Sequence, residues 1–479
     1  MSSPVELPAL PPYRIKVVEP IALMSPTERR HALADAGYNP FNLRADQITV
    51  DLLSDSGTGA TSSAQEAAAA EGDESYAGAR SWYRFRDVAA ELTGYRHILP
   101  VHQGRAAERI LFSTLLKTGQ ICLSNTHFDT THANVEIVGA QARDIPCPQA
   151  WDLDSAYPFK GNIDLDELSA VLSGPDRDRV GLVLVTITNN GMGGQPASLA
   201  NLQAASRICR HHGVPFFLDA ARFAENAWLI AQREPEYQGC TPHEIARRVF
   251  DLADGCLISL KKDGLSPTGG LIGLRNNDLH AACEANLIAT EGFSTYGGLS
   301  GRDLERLAQG LREVVDPGYL RFRADSTARF AQMINDAGVH TVRPPGIHAL
   351  YLDAGRLLTH LGPHQFPGHA LGCELYLAGG IRCAEVGSLY LGKTDDQHRL
   401  VEPAPFELVR LALPRRVYTE AHLEYVAAVL AAIAKAPERV PGYQIMSAPA
   451  ILRPFKVRLE PVKPATPATQ SQGAAGRRA

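Results

Sequence analysis

No stretch of this sequence is as long and apolar as the roughly eighteen residues that a membrane-spanning helix needs, so we expect no membrane partner. The net charge of −5 offers no basic field, which argues against a nucleic-acid partner. The chain does not open on a basic stretch followed by an apolar one, so we expect no secretory signal and a cytoplasmic location. The eight cysteines include no CxxC pair, which predicts reduced thiols rather than a disulfide framework or a zinc site.

The composition is that of an ordinary globular protein, with 45% hydrophobic and 21% charged residues. The length of 479 residues suits two domains. Short apolar runs such as "VPFFLD" and "ADGCLIS" alternate with helical patterns, which indicates a mostly parallel α/β sheet. Later segments mix strand and helix patterns and predict a smaller α+β domain. We predict an N-terminal arm (1–20), a small domain (21–54 and 320–460), a large domain (55–319) and a disordered tail (461–479).

Charged residues follow two of the predicted strands. Asp219 ends "VPFFLD", with Arg222 three residues later, and Lys261 and Lys262 come directly after "ADGCLISL". Ligands of an open α/β sheet bind beyond the carboxyl ends of its strands. A carboxylate beside a reactive lysine there is what pyridoxal phosphate (PLP) requires, because the lysine binds the aldehyde and the carboxylate keeps the ring nitrogen protonated. The alternatives are a helix cap for the aspartate and a solvated turn for the lysines.

Three further segments suit the same cofactor or an amino-acid substrate. Gln103, Gly104 and Arg105 precede a helical pattern, and free N–H groups at a helix start bind phosphate. Phe128 could stack on a flat ring. Arg410 lies inside a strand-like run, where a buried arginine needs an anion such as an α-carboxylate. Each has a structural alternative, such as an ordinary turn or a core phenylalanine.

Longer segments, in the same order along the chain, resemble the β-eliminating lyase family of tryptophan indole-lyases and tyrosine phenol-lyases. They are "DLLSDSGTGA", "GDESYAGAR", "HQGRAAE", "FDTTH", "TITNNGMGGQP", "LDAARFAENAW", "KKDGLSPTGG", "STYGGLSGRD" and "VRLALPRRVYT". The resemblance implies a PLP-dependent fold of type I, like that of aspartate aminotransferase, with the two domains described above. It also implies a homotetramer that acts on a small amino acid.

The resemblance assigns roles to matching positions. Lys262 is the lysine that carries PLP, and Phe128 stacks on the ring. Asp219 binds the ring nitrogen. The implied phosphate ligands are Gln103, Gly104, Ser259 and Lys261, and the implied partners of the ring's 3-oxygen are Asn190 and Arg222.

Substrate and cation sites follow in the same way. The resemblance implies a substrate pocket made by Phe41, Ser54, Ser56 and Arg410. Tyr76 is the implied catalytic acid, supplied by a neighbouring subunit, with Arg105 beside it and Asp129 as a further catalytic residue. The implied ligands of a potassium ion are Gly57, Glu74 and Pro267.

Three positions bear on the substrate. Phenol-lyases have an arginine where this chain has Val386 and a threonine where it has Asp129, so the sequence favours β-elimination of L-tryptophan to indole, pyruvate and ammonia. Pro454 departs from the histidine that tryptophanases carry in this context. The alternatives are a lyase for another β-substituted amino acid (tyrosine, an S-alkylcysteine or a modified tryptophan) and a PLP-binding protein without turnover.

Overall fold

The computed structural model describes residues 10–395, 397–449 and 453–462. Within these residues the chain forms fifteen α-helices and sixteen β-strands. The helices are α1 (Pro26–Asp35), α2 (Ser63–Ala70), α3 (Arg80–Thr93), α4 (Gly104–Leu115), α5 (Asp129–Ile137), α6 (Leu165–Ser173), α7 (Leu199–His212), α8 (Phe223–Arg233), α9 (Pro242–Phe250), α10 (Asn277–Thr290), α11 (Gly301–Glu313), α12 (Pro317–Asp336), α13 (Ala354–Leu357), α14 (Pro367–Gly379) and α15 (Glu420–Ala434).

Seven strands form the central sheet, in the order β2-β8-β7-β6-β5-β3-β4. Five of them, from β7 to β4, run parallel, and β2 and β8 add antiparallel pairs at one edge. The prediction of a mostly parallel sheet is therefore confirmed. These strands are β2 (His97–Val101), β3 (Ile121–Ser124), β4 (Gln141–Asp144), β5 (Val180–Thr186), β6 (Phe216–Asp219), β7 (Gly255–Ser259) and β8 (Gly270–Leu274).

Helices cover both faces of this sheet, which explains why its inner strands read as apolar runs rather than as alternating patterns. Leu182, Val183 and Leu184 are consecutive in β5 and are all buried, because successive side chains enter opposite cores. The adjoining helix α7 begins at the Ser198 cap and ends at Gly213, whose φ of 69° is the left-handed conformation that the "HHG" stop predicts.

A second core joins the two ends of the described chain. It combines apolar residues of α1 with others from the region between α12 and β16. In its three-stranded sheet, of order β11-β14-β9, Arg410 of β14 lies opposite Ala384 and Tyr351. The strands outside the central sheet are β1 (Val50–Asp51), β9 (Ala349–Asp353), β10 (Ile381–Arg382), β11 (Ala384–Val386), β12 (Lys393–Thr394), β13 (Leu400–Glu402), β14 (Leu408–Ala412), β15 (Tyr443–Ser447) and β16 (Arg458–Pro461).

The domain boundaries stay a prediction. Residues 10–20 contain no helix or strand, and β16 extends to residue 461, where we expected the tail to begin. The rest of the predicted tail, 463–479, lies outside the described residues. No helix in the described part of the chain has the length and apolar character to cross a membrane.

Candidate active site

One cavity of about 860 Å³ lies beyond the carboxyl ends of β5, β6 and β7, between the central sheet and the second core. It brings together most of the predicted site residues, although the chain separates them by up to several hundred positions. Those that line it are Phe41, Ser54, Ser56, Gln103, Gly104, Arg105, Phe128, Asp129, Asn190, Asp219, Arg222, Ser259, Lys261, Lys262 and Arg410.

Asp219, the last residue of β6, presents its carboxylate to this cavity. Within the described residues, its Oδ1 accepts a long hydrogen bond of 3.4 Å from the Ala221 N–H. Burial raises the pKa of Asp219 above its usual value, although the positive charge of Lys262 works in the opposite direction. A carboxylate that has lost its hydration and gains only one long hydrogen bond is stabilised by a positively charged group such as a protonated ring nitrogen.

Lys262 lies in the turn after β7, in the same cavity as Asp219. Burial and then the positive charge of Arg222 lower the pKa of Lys262 to about 8. A lysine with that pKa is neutral far more often than an exposed one, and the neutral amine is the form that attacks an aldehyde. Burial and Arg105 also lower the pKa of Lys261, whose side chain lies against Gly57. The sequence prediction that both lysines follow a strand end is confirmed.

The start of α4 forms a cradle suited to a phosphate. Gln103 is the residue before the helix, and its side chain makes no capping hydrogen bond to the helix N-terminus. A Cβ added to Gly104 would meet Ser259 Cβ at 2.6 Å, so only glycine allows this close approach of α4 to the end of β7. With Lys261 nearby, the backbone N–H groups, a hydroxyl and an ammonium provide the donors that a phosphate needs.

Asn190 is held in one orientation by the second core. Its Oδ1 accepts hydrogen bonds from Tyr351 Oη (2.9 Å) and from Arg410 Nη1 (3.2 Å), and it lies 3.1 Å from His348 Nε2. Burial and the nearby Arg222 lower the pKa of His348, so the ring is neutral and donates through Nε2. Because its oxygen is taken, Asn190 is left with its Nδ2 as a donor to an acceptor in the cavity.

Arg410 has unused hydrogen-bonding capacity. Its Nη2 donates to the Leu53 carbonyl at 3.1 Å and its Nη1 to Asn190, whereas its buried Nε has no partner among the described residues. A buried N–H without an acceptor is costly unless an anion satisfies it. The position of Arg410 beside Ser54 and Ser56 in the cavity therefore fits a carboxylate ligand.

Arg222 does not reach the cavity as a free side chain. Its Nε and Nη2 donate to the two oxygens of Asp55, at 3.0 and 2.8 Å, and both residues are buried. Arg415 donates to the same Asp55, to Glu225 and to Asp263, at 2.9, 3.0 and 2.7 Å. Burial alone would lower the pKa of Arg415, but the three carboxylates outweigh it and hold the pKa well above its usual value.

This ion network joins the second core to the floor of the cavity, because Arg415 follows β14 whereas Arg222 follows β6. Arg323 adds a third guanidinium, 3.1 Å from Glu225 Oε1. Three buried arginines thus balance three buried carboxylates, an arrangement that fixes the Arg222 guanidinium in place. Its Nη1 makes none of the bonds to Asp55 and can serve an acceptor in the cavity.

Glu108 of α4 is a second carboxyl group close to Asp219. It accepts hydrogen bonds from Thr131 Oγ1 (2.8 Å) and Asn134 Nδ2 (3.1 Å), which join α4 to α5. Burial and then the negative charge of Asp219 raise the pKa of Glu108 to about 7. The Glu108 charge in turn favours a protonated group next to Asp219.

Four predicted residues do not line the cavity. Tyr76 is 71% exposed and packs on Phe293 and Tyr296, with ring centroids at 5.8 and 5.4 Å. Gly57 and Pro267 are adjacent, since a Cβ on Gly57 would meet the Pro267 carbonyl oxygen at 2.9 Å.

Glu74, the fourth of these residues, contacts the start of α11. Its carboxylate accepts from the Gly301 N–H at 3.1 Å and lies 3.7 Å from Arg302 Nε.

Sequence reasoning did not single out several residues of this site. Asp55, Glu108 and Arg415 lie inside segments that carry the family resemblance, but a segment does not show which side chains pair. His348 precedes β9 and Tyr390 lies in the turn "SLYLG", where no motif marks a site.

Comparisons with known proteins agree with this geometry. Residues 51–429 match the family described as β-eliminating lyase. A tryptophanase from Salinibacter ruber is 47% identical over 95% of this chain and 96% of its own length. A tryptophanase from Hyphomonas neptunium is 46% identical, over 94% and 98%. A tyrosine phenol-lyase from Symbiobacterium thermophilum is 38% identical, over 96% and 100%.

Solved structures share the fold at low identity. A serine palmitoyltransferase from Sphingomonas wittichii is 14% identical, with a TM-score of 0.58 over 87% of this chain and 97% of that one. An SPT variant solved with PLP has the same identity and TM-score, over 86% and 96%. The cavity residues fit PLP, because a carboxylate, a lysine of lowered pKa and a helix N-terminus surround one space. The chain belongs to the β-eliminating lyase family and is a PLP-dependent enzyme of fold type I.

Proposed function

We propose that this enzyme catalyses the β-elimination of L-tryptophan to indole, pyruvate and ammonia. The observation that carries the proposal is the shared cavity in which Asp219 has a raised pKa, Lys262 a lowered one, and Arg410 an unpaired buried donor. Tryptophan is favoured over tyrosine because Val386, which lines the cavity, offers no charge to a phenol hydroxyl.

PLP, when bound, supplies an aldehyde that condenses with the substrate amine and a ring that withdraws electrons from Cα. Asp219 holds a proton at the ring nitrogen and so maintains that withdrawal. Lys262 takes the proton from Cα as a general base. With a pKa of about 8, some 10% of Lys262 is neutral at pH 7, compared with about 0.03% for an ordinary lysine.

Eight residues of the cavity orient the reactants. Arg410 binds the substrate carboxylate through the donors that its own chain leaves free. Asn190 donates through Nδ2 and Arg222 through Nη1 toward the ring's 3-oxygen. Gln103, Gly104, Ser259 and Lys261 hold the phosphate, and Phe128 covers the ring. Such positioning converts binding energy into rate, because the reacting groups are held in place before the chemical step.

The leaving group needs an acid. We assign this role to Tyr76 of a neighbouring subunit in a cytoplasmic homotetramer, with Arg105 beside it. The exposure of Tyr76 supports a contact between subunits. We also propose that a potassium ion binds the carbonyl oxygens of Gly57 and Pro267 and the carboxylate of Glu74.

A second candidate is elimination from another β-substituted amino acid, such as an S-alkylcysteine. Pro454 favours it, because this residue lines the cavity without any side-chain donor. The two candidates share every step up to departure of the leaving group, so only the relative rates of substrates separate them.

The test is pyruvate release by the holoenzyme from L-tryptophan, L-tyrosine and S-methyl-L-cysteine. We expect tryptophan to be the best of the three and tyrosine a poor substrate. Lys262→Ala should lose elimination by at least about 1,000-fold, whereas the neighbouring variant Lys261→Ala should keep most of kcat and bind PLP more weakly. Borohydride reduction should attach the pyridoxyl group to Lys262. Attachment to Lys261, or no pyruvate from any substrate, would refute the proposal.

A further inference from the structure

One wall of the cavity is built by three segments that are far apart in sequence. Phe41 and Phe455 meet edge to face with ring centroids 4.9 Å apart. Asn39 Nδ2 donates to the Pro454 carbonyl at 3.0 Å and ties these two segments together. Val386, Leu391 and the two phenylalanines make this wall apolar, which suits an aromatic group.

The turn after β11 is the third segment, and Arg453 holds it. Its guanidinium donates to the carbonyls of Leu389 (2.9 Å), Ser388 (3.3 Å) and Gly392 (2.6 Å), and to Thr394 Oγ1 (2.8 Å). A turn fixed by four hydrogen bonds presents its side chains in defined positions. At the centre of this turn, Tyr390 lines the cavity next to Leu391.

Tyr390 adds a hydroxyl to this otherwise apolar wall. Tyr390 and Asp129 both line the cavity, and burial and then the negative charge of Asp129 raise the pKa of Tyr390 well above its usual value. The Thr130 N–H donates to Asp129, at 2.6 Å from Oδ1. This bond orients the Asp129 carboxylate, and the phenolic oxygen of Tyr390 has lone pairs that can accept from another donor.

A third polar side chain, Glu385, also lines the cavity. Burial and the nearby Glu407 raise the pKa of Glu385 well above its usual value, which disfavours a negative charge on this group. We therefore assign the negative charge beside Tyr390 to Asp129. A single oriented carboxylate with a phenol suits a neutral donor such as a ring N–H or O–H, and disfavours an anionic leaving group.

We propose that Tyr390 is a specificity-determining residue that, with Asp129, selects substrates whose aromatic leaving group carries an N–H or O–H donor. The inference rests on the proposed β-elimination and names the substrate class of that site. A leaving group without a donor offers no hydrogen bond to the phenolic oxygen of Tyr390 or to the Asp129 carboxylate, and sites built for a hydrogen bond discriminate strongly against such groups.

The experiment compares kcat/KM for L-tryptophan and S-methyl-L-cysteine in the wild type and in Tyr390→Phe. We expect a loss of about 10-fold or more for tryptophan and of less than about 3-fold for S-methylcysteine, which has no ring donor. Tyr390→Leu should change the ratio in the same direction. The control is Tyr425→Phe, because Tyr425 also donates through its hydroxyl, to the Gly379 carbonyl at 2.9 Å, but lies outside the cavity.

Inhibition by indole and by benzofuran, which replaces the ring N–H with oxygen, gives a second measurement. Indole should inhibit the wild type about 10-fold more strongly, and Tyr390→Phe should reduce this preference. Equal losses for both substrates, equal inhibition of the wild type by the two rings, or loss of PLP binding in both Tyr390 variants would overturn the inference. A wild type that releases no pyruvate from either substrate would instead refute the proposed function.

Discussion

Replacement of Arg415 by methionine tests whether the buried ion network stabilises the enzyme. The change removes a guanidinium that donates to Asp55, Glu225 and Asp263 within 3.0 Å, and it leaves two cations facing three carboxylates. Removing one partner from a buried ion pair typically costs about 3–5 kcal/mol. Because the unfolding entropy of 479 residues is about 1 kcal/mol/K, we expect the melting temperature of the holoenzyme to fall by about 3–5 °C at pH 8.

The pH dependence makes this prediction sharper. Burial, only partly offset by Arg415, raises the pKa of Asp263 from 3.8 to about 6. In the wild type this group therefore lowers the free energy of unfolding as the pH rises from about 4 to 6, and adds no further pH dependence above 6. Without Arg415 the pKa of Asp263 rises further, and the variant keeps a proton that the wild type has lost. The deficit of the variant should therefore grow by up to about 3 kcal/mol between pH 6 and pH 8.

The assay is thermal unfolding followed by circular dichroism at pH 6, 7 and 8. The control is Arg44→Met, because Arg44 pairs with Asp46 at 2.5 Å but their side chains are 75% and 61% exposed. Exposed pairs contribute about 1 kcal/mol or less, so the control should lose little and show no pH trend. An Arg415 variant no less stable than the control, or one whose deficit is larger at pH 6, would refute the reasoning.

Three other predictions concern the site itself. Asp219→Asn should bind PLP but lose nearly all elimination, since an amide cannot hold a pyridinium proton; unchanged turnover would contradict that role. Glu108→Gln should become more stable relative to the wild type from pH 5 to pH 8, by up to about 3 kcal/mol, because the raised pKa of Glu108 costs the wild type stability as the pH rises through 7; thermal unfolding without that trend would refute it. Pro454→His should raise the kcat/KM ratio of tryptophan to S-methylcysteine, and a ratio unchanged within about threefold, roughly 0.65 kcal/mol, would show that position 454 does not set specificity.

The sequence was most informative where a single strand end decides the position of a side chain. Asp219 and the lysine pair follow strands that could be recognised from their apolar runs, and the structure ends β6 and β7 there. Arg410 likewise lies inside a strand, as the pattern predicts.

Pairings between distant segments could not be predicted in this way. Asp55 and Arg222 are 167 positions apart, and no periodicity shows that they meet. Tyr390 enters the cavity because Arg453 holds its turn, which is a property of tertiary packing rather than of the turn sequence. The antiparallel placement of β8 was also not visible, because an apolar run gives no strand direction.

The pairing of β1 with β10 sets the order in which the chain can fold during synthesis. Val50 lies opposite Ile381, so the ribosome makes about 330 residues between the two partners. At roughly 5–20 residues per second this takes about 15–65 s. The central sheet, complete at Leu274, can form during that interval, while Leu33, Val50 and Leu52 still lack the core that buries them. The nascent chain therefore carries an unsatisfied apolar segment at its beginning until its last quarter emerges, and binding by a chaperone during that time would protect it from aggregation.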